Sequence, residues 1–296
     1  MTLKQKEAIR AAVHTYVARH SSQRAAAATL KDVSEATIVQ VLKGNWAQIS
    51  AAMWRSIGKQ VGWQPHGSTA AELVTTRPYK AIWQHLATAQ EHGESLCLTG
   101  PAGLGKTATA QHYARSQANT YYLECAAYWN RKYFLLELLR TMGRDGSGMN
   151  VYELMDDVLR YLRQQDRPLI ILDEVDKLRD EVFQFFITLY NKLHGICGIV
   201  WLSTDAVVKK LRHGLDYKRA GYNEIWSRIG RNALELPRLT RKDLQAVVSA
   251  AGISDEEEVA RILNTCEGDL RRIDREYLRS VLLRQASVTE KELEAA

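Results

Sequence analysis

The sequence predicts an α/β chain. A mostly parallel five-stranded sheet over about residues 75–236 carries an all-helical head at 1–63 and an all-helical lid at 237–296. Three observations predict it. Short, continuously apolar runs alternate with helix-length stretches between Ser95 and Leu236, the pattern of parallel strands buried on both faces. A glycine-rich turn, Gly100 to Thr107, joins the first of those runs to a helix. Residues 3–63 read as several short helices, with apolar side chains at helical spacing.

Composition bounds the answer before any motif is read. The chain has 296 residues, 46% hydrophobic and 25% charged, which suits two folded units with a small third. No apolar run approaches the roughly 18 residues of a spanning helix, and Met1 to Lys6 lacks the apolar stretch of a signal peptide. Composition therefore argues against membrane, secreted, fibrous and disordered classes, and a cytoplasmic location is expected. Cys97, Cys125, Cys197 and Cys266 are scattered, with no C-x-x-C pair and no histidine at ligand spacing. Reduced, buried thiols are expected rather than a disulfide framework or zinc ribbon.

The net charge of +6 is unevenly placed. Residues 1–70 hold nine basic side chains against three acidic ones, and the remaining 226 hold 31 of each sign. A basic head on a neutral body suits contact with a polyanion. Within the head, Ile9, Ala12, Val13, Tyr16 and Val17 mark one helix. Ser21 or Ser22 caps an alanine-rich run from Gln23 to Leu30, and Lys31-Asp32-Val33 makes a break. Ser34 caps a second short helix, Glu35 to Lys43, stopped by Gly44. Another helix runs from about Ser50 to Val61. Two short helices, a tight break, an inward Val33 and the Ile38/Val41 pair form a helix-turn-helix pattern, and Ser22 to Gly44 resembles the repressor-like family. That resemblance implies a second helix lying in the major groove and presenting Ser34, Glu35, Ala36, Thr37 and Gln40. The turn departs from the family pattern by carrying Lys31-Asp32 where glycine is usual. Gln64 to Thr69 then has the Pro, Gly and Ser of a flexible boundary, giving a linker at 64–74.

The strongest signal is Gly100-Pro101-Ala102-Gly103-Leu104-Gly105-Lys106-Thr107, matching G-x-x-x-x-G-K-[ST] at every fixed position. It follows a strand, Ser95 to Thr99, and opens a helix beginning about Ala108. Glycines let backbone N–H groups turn inward on phosphate oxygens, and the helix N-terminus adds partial positive charge. Lys106 is placed to reach the β- and γ-phosphates, and the Thr107 hydroxyl to ligate Mg²⁺. The apolar strand Leu169 to Leu172 ends in Asp173-Glu174. At that end of a parallel strand, Asp173 can hold Mg²⁺ and Glu174 can orient and deprotonate a water.

Further parts follow in order. Gly198 to Leu202 is a strand ending in Ser203-Thr204, and Ser227-Arg228-Ile229-Gly230-Arg231 precedes a strand at Ala233 to Leu236. Gly268-Asp269-Leu270-Arg271-Arg272 opens a late helix. This order resembles the AAA+ ATPase family over about residues 75–285. The resemblance makes Gly100 to Thr107 the Walker A motif, extended to Ala108, and Leu169 to Glu174 Walker B. Thr204 or Ser203 becomes sensor 1, Arg228 or Arg231 the arginine finger acting on a neighbouring subunit, and Arg271 sensor 2. An arginine finger implies a homo-oligomer with ATP at the subunit interface.

A helix-turn-helix head, a short linker and a compact AAA+ module together resemble the phage Mu transposition protein B family. The resemblance implies ATP-dependent assembly on double-stranded target DNA with little sequence preference. It also implies stimulation of a transposase and disassembly on hydrolysis. Two segments are candidates to touch phosphates: Tyr128-Trp129-Asn130-Arg131-Lys132, which mixes aromatic with basic residues, and the basic Lys209-Lys210-Leu211-Arg212-His213 beyond Ser203-Thr204. The rival readings are a replicative helicase loader, an ATP-switched transcriptional regulator and a DNA-binding protein with a dead nucleotide site; the intact Lys106, Thr107, Asp173 and Glu174 argue against the last.

Overall fold

The computed structural model describes residues 1–18, 22–63 and 74–279. Ser21, the segment 64–73 that holds nearly all of the expected linker, and residues 280–296 at the end of the expected lid lie outside the described residues.

The head is four helices around one apolar core. Helix α1 (Leu3–Val17) is capped by Thr2, α2 (Gln23–Ala28) by Ser22, α3 (Glu35–Lys43) by Ser34 and α4 (Ala51–Gln60) by Ser50. Each cap is a short oxygen side chain accepting a first-turn N–H. Ile9, Val13, Ile38, Trp54 and Ile57 are fully buried together. Ala26 and Ala27, small and buried, let α2 cross α3 closely. The alanine run ends two residues short of the expected Leu30, because the chain must turn before α3. Asp32 takes the left-handed conformation there, with φ 58°. Aspartate tolerates that region better than most residues, which is how the turn forms without the usual glycine.

The central α/β unit begins with α5 (Arg77–His92), β1 (Ser95–Thr99), α6 (Lys106–Ser116) and β2 (Thr120–Glu124). It continues through α7 (Arg131–Thr141), α8 (Val151–Arg163) and β3 (Leu169–Asp173). A single 3₁₀ turn at Val175–Lys177 leads to α9 (Asp180–Phe183), α10 (Phe185–Leu193) and β4 (Gly198–Ser203). Last come α11 (Ala206–Asp216), α12 (Tyr222–Arg228) and the short β5 (Leu234–Glu235). All five strands are parallel, in the order β2-β3-β4-β1-β5. Every residue of β3 and β4 is buried, as their unbroken apolar sequences require. Ile170, Leu172 and Trp201 face one apolar layer with α7 and α10; Leu169, Ile171 and Val200 face the other, with α5 and α6.

Two capped helices follow, α13 (Arg241–Ala250) and α14 (Glu256–Thr265), and residues 270–279 are helical. Asp255 caps α14, and Glu256, Glu257 and Glu258 fill its first turn, where the helix dipole favours carboxylates. No helix among the described residues is long and apolar enough to cross a membrane.

Candidate nucleotide site

The C-terminal ends of β1, β3 and β4 converge, and the chemistry-bearing residues sit there. Gly100 donates its N–H to the Ser203 carbonyl at 3.2 Å, tying the loop after β1 to the end of β4. The loop then turns through Gly103 (φ 73°) and Gly105 (φ 90°), left-handed positions that glycine adopts without a Cβ penalty. Gly105 is the residue before α6, so the first free N–H groups of that helix point into the loop.

Lys106 Nζ donates to the carbonyls of Gly100 (2.7 Å) and Pro101 (2.8 Å) across the mouth of the loop. Burial pulls its pKa below the ordinary lysine value, Asp173 opposes that shift, and the charge of Arg271 adds to it. Arg271 is therefore close enough to the loop to be felt by Lys106. The contact is direct at its neighbours: the Leu270 N–H donates to the Gly103 carbonyl at 3.0 Å, and Leu270 Cδ1 lies against Gly105. Asp269 fits into the space that a side chain at Gly103 would occupy, since a Cβ there would lie 1.8 Å from Asp269 Oδ1. Gly103→Ala is thus expected to lift the 269–272 segment off the loop. The left-handed backbone alone costs an alanine about 1–2 kcal/mol. The check is faster amide hydrogen exchange at 269–272 with roughly tenfold weaker ATP binding.

The carboxylate opposite is held hard. Asp173 is 1% exposed. Its Oδ2 accepts from the Thr107 hydroxyl at 2.6 Å and the Tyr122 hydroxyl at 2.9 Å, and its Oδ1 from the Glu174 N–H at 2.9 Å. Glu174 itself has φ 54° and forms an ion pair with Lys177 across the 3₁₀ turn. Ser203 is buried and donates to Asp176 at 2.5 Å, whereas the Thr204 hydroxyl accepts from the Ala206 N–H at 3.3 Å. Among the described residues no group of three or more His, Cys, Asp or Glu side chains could hold a metal by itself. A divalent ion here needs Thr107, Asp173 and oxygens from a ligand. A buried, oriented carboxylate beside a hydroxyl and an N–H-lined cradle fit that requirement for Mg²⁺ with a polyphosphate.

The two arginines before β5 differ. Arg228 is 20% exposed, pairs with Glu224 at 3.3 Å, donates to Asn191 at 3.0 Å and lies over the Tyr190 ring. Arg231 is exposed, with φ 56°, and has no side-chain partner among the described residues.

The residues read as nucleic-acid contacts are placed unevenly. Ser34 and Thr37 are spent on capping α3: Ser34 Oγ accepts from the Thr37 N–H, and the two hydroxyls lie 2.9 Å apart. Gln40 is half-buried and Glu35 exposed. Trp129, expected in an exposed aromatic and basic strip, is buried, while Tyr128 beside it is 76% exposed. Arg131 pairs with Glu181 and lies over Phe185. Lys132 lines a cleft between α7 and the α2–α3 turn, together with Ser34, Glu35, Lys31 and Asp32. Lys209 is exposed but paired with Asp205. Lys210 corrects an expectation. Its ammonium turns inward over Phe183 and donates to the carbonyls of Asp176 and Leu178, so it staples α11 to the turn after β3. Among the described residues, the exposed side chains on that helix and its exit with no ion-pair or side-chain hydrogen-bond partner are Arg212, His213, Asp216, Tyr217 and Lys218, with the His213 and Tyr217 rings 4.5 Å apart.

This combination of a parallel sheet, a phosphate-type loop and an acid-tipped neighbouring strand defines a P-loop ATPase, and residues 89–205 match the family model described as an AAA domain. That segment of the chain is similar to AAA domains, and the sequence relatives of the chain include transposition B proteins of Mu-like phages. It is 24% identical over 239 residues to the Mu-like prophage FluMu DNA transposition protein B of Haemophilus influenzae, covering 79% of this chain and 82% of that one. It is also 24% identical over 231 residues to the ATP-dependent target DNA activator B of Escherichia phage Mu, covering 70% and 71%. Among solved structures, NtrX from Brucella abortus is similar in fold, with TM-score 0.50, 16% identity, and 86% of this chain and 59% of that chain covered.

Proposed function

We propose that the chain is an ATP-dependent DNA-binding ATPase that oligomerises on target DNA, presents that DNA to a transposase and stimulates it. ATP hydrolysis then dissolves the assembly. The observation that carries the reading is the juxtaposition of Lys106, Thr107 and Asp173 at the mouth of the glycine loop, in a chain related to the Mu B proteins.

Residues 100–108 cradle the triphosphate, and Lys106 exchanges its two carbonyl partners for phosphate oxygens. Thr107 and Asp173 are the protein groups that would hold Mg²⁺. When bound, the ion neutralises charge on the β- and γ-phosphates. Glu174 is the base for the attacking water once it leaves Lys177, and Ser203 or Thr204 orients that water. Arg271 approaches the phosphates from the C-terminal helices. The trans-acting arginine we assign to Arg231, because a side chain that completes a neighbour's site must be exposed and uncommitted; Arg228 braces α12 within its own subunit.

For DNA, the head offers a helix-turn-helix with Glu35, Ala36 and Gln40 on α3. The core offers Lys132 and the Arg212, His213, Tyr217, Lys218 patch, which suit backbone contacts with little sequence preference. Lys209 joins them if it leaves Asp205. Lys106→Ala is expected to abolish ATP-dependent assembly on DNA. The variant loses two hydrogen bonds, to the carbonyls of buried Gly100 and exposed Pro101, and no ion pair among the described residues, so its unfolding temperature is expected to stay near that of the parent. Electron microscopy on random-sequence duplex DNA with a non-hydrolysable ATP analogue tests the reading. Regular nucleotide-dependent filaments support it; isolated particles at defined sequences favour a transcriptional regulator.

A further inference from the structure

We propose that Tyr122 is a positioning residue for the metal-binding carboxylate, fixing Asp173 through its phenolic hydroxyl. The inference rests on the assignment of Asp173 to Mg²⁺ made above and goes beyond it by naming what aims that carboxylate.

The argument starts from strand register. Strands β2 and β3 are parallel neighbours, with Tyr122 opposite Ile171 and Glu124 opposite Asp173. Side chains alternate across a strand, so Tyr122, Ile171 and Asp173 share a face. That face packs on α6, the helix that opens with Lys106 and Thr107; Tyr122 belongs to the apolar layer of Ile171, Ala110 and Tyr113. Tyr122 thus sits one step back from the strand end, in reach of the acid diagonally ahead. Its hydroxyl donates to Asp173 Oδ2 at 2.9 Å, and burial followed by the charge of Asp173 pushes its own pKa far above the ordinary tyrosine value.

The consequence is a division of labour among donors. Among the described residues Asp173 has three protein donors, and only the Thr107 hydroxyl belongs to a group that must itself face the ion. The Glu174 N–H holds Oδ1 and sits on the turn carrying the catalytic base. Tyr122 is the one donor to Oδ2 that lies on a strand and takes no part in binding ligand or water. Removing it leaves the orientation of Oδ2 to Thr107 alone. Partners that orient metal ligands typically contribute 10–100-fold to metal affinity.

The test is a magnesium titration of the binding of a fluorescent ATP analogue to the full chain, comparing the parent with Tyr122→Phe and Asp173→Asn. Tyr122→Phe keeps the ring in its apolar layer. It is expected to bind the analogue like the parent in excess chelator. Its half-maximal Mg²⁺ for the metal-dependent gain in affinity is expected to rise about 10–100-fold. An unchanged Mg²⁺ requirement overturns the proposal. So does an equal loss of affinity with and without metal, because that marks damage to the fold. If Asp173→Asn keeps the parent's metal response, the assignment of Asp173 falls first, and if the parent shows no metal response at all, the nucleotide site does.

Discussion

Glu174→Gln is expected to bind ATP and duplex DNA as tightly as the parent and to hydrolyse ATP about 10²–10⁴-fold more slowly, the range that a positioned general base contributes. The structure makes this substitution a clean probe. Among the described residues Glu174 forms an ion pair only with Lys177, and the two side chains are 36% and 46% exposed, so losing the pair costs little stability. The left-handed backbone at Glu174 is unaffected by changing a carboxylate to an amide. The variant should therefore accumulate on DNA in the presence of ATP and stay there. Single-turnover hydrolysis and the lifetime of the DNA-bound assembly read the two effects separately. Hydrolysis at the parent's rate would remove Glu174 from its role.

Arg231→Ala is expected to lower DNA-stimulated hydrolysis by about 10³-fold or more, as loss of an arginine finger does, without weakening ATP binding to the isolated subunit. Arg228→Ala is expected to act differently. It deletes a half-buried side chain that bridges Glu224, Asn191 and the Tyr190 ring, so it should lower the unfolding temperature. Mixing distinguishes trans from cis action. An Arg231→Ala subunit has an intact phosphate loop, and a Lys106→Ala subunit has an intact Arg231; mixed oligomers of the two should recover activity that neither shows alone. If Arg228→Ala gives the large catalytic loss and Arg231→Ala none, the assignment between the two is reversed.

What could be read from letters alone follows from how local the chemistry is. A phosphate cradle needs glycines, a lysine and a hydroxyl within eight consecutive residues, so Gly100 to Thr107 announces itself. The strand ending in Asp173-Glu174 does too, because a strand buried on both faces has no polar residue until it ends. The helices of the head were legible through their caps and Gly44. The less legible parts depend on packing between distant segments. Lys210 looks like its neighbour Lys209 in sequence, yet one turns under Phe183 and the other into solvent, and only the seating of α11 on the turn after β3 decides which. Trp129 is buried for the same kind of reason. The approach of Asp269 and Leu270 to the glycine loop joins residues more than 160 apart. Tyr122 was missed because its role depends on the β2–β3 register. The alternation Thr120-Tyr121-Tyr122-Leu123-Glu124 is the available signal, since it puts a tyrosine and a glutamate on one face of a strand that ends beside Asp173.

The central claim is that this chain grips a nucleoside triphosphate and its metal between the glycine loop and Asp173, and isothermal titration calorimetry with Mg²⁺ tests it most directly. The account predicts saturable binding of an ATP analogue to the full chain that is lost in Lys106→Ala and weakened by chelating the metal. Equal heats for the parent and Lys106→Ala, or no binding to either, would contradict it.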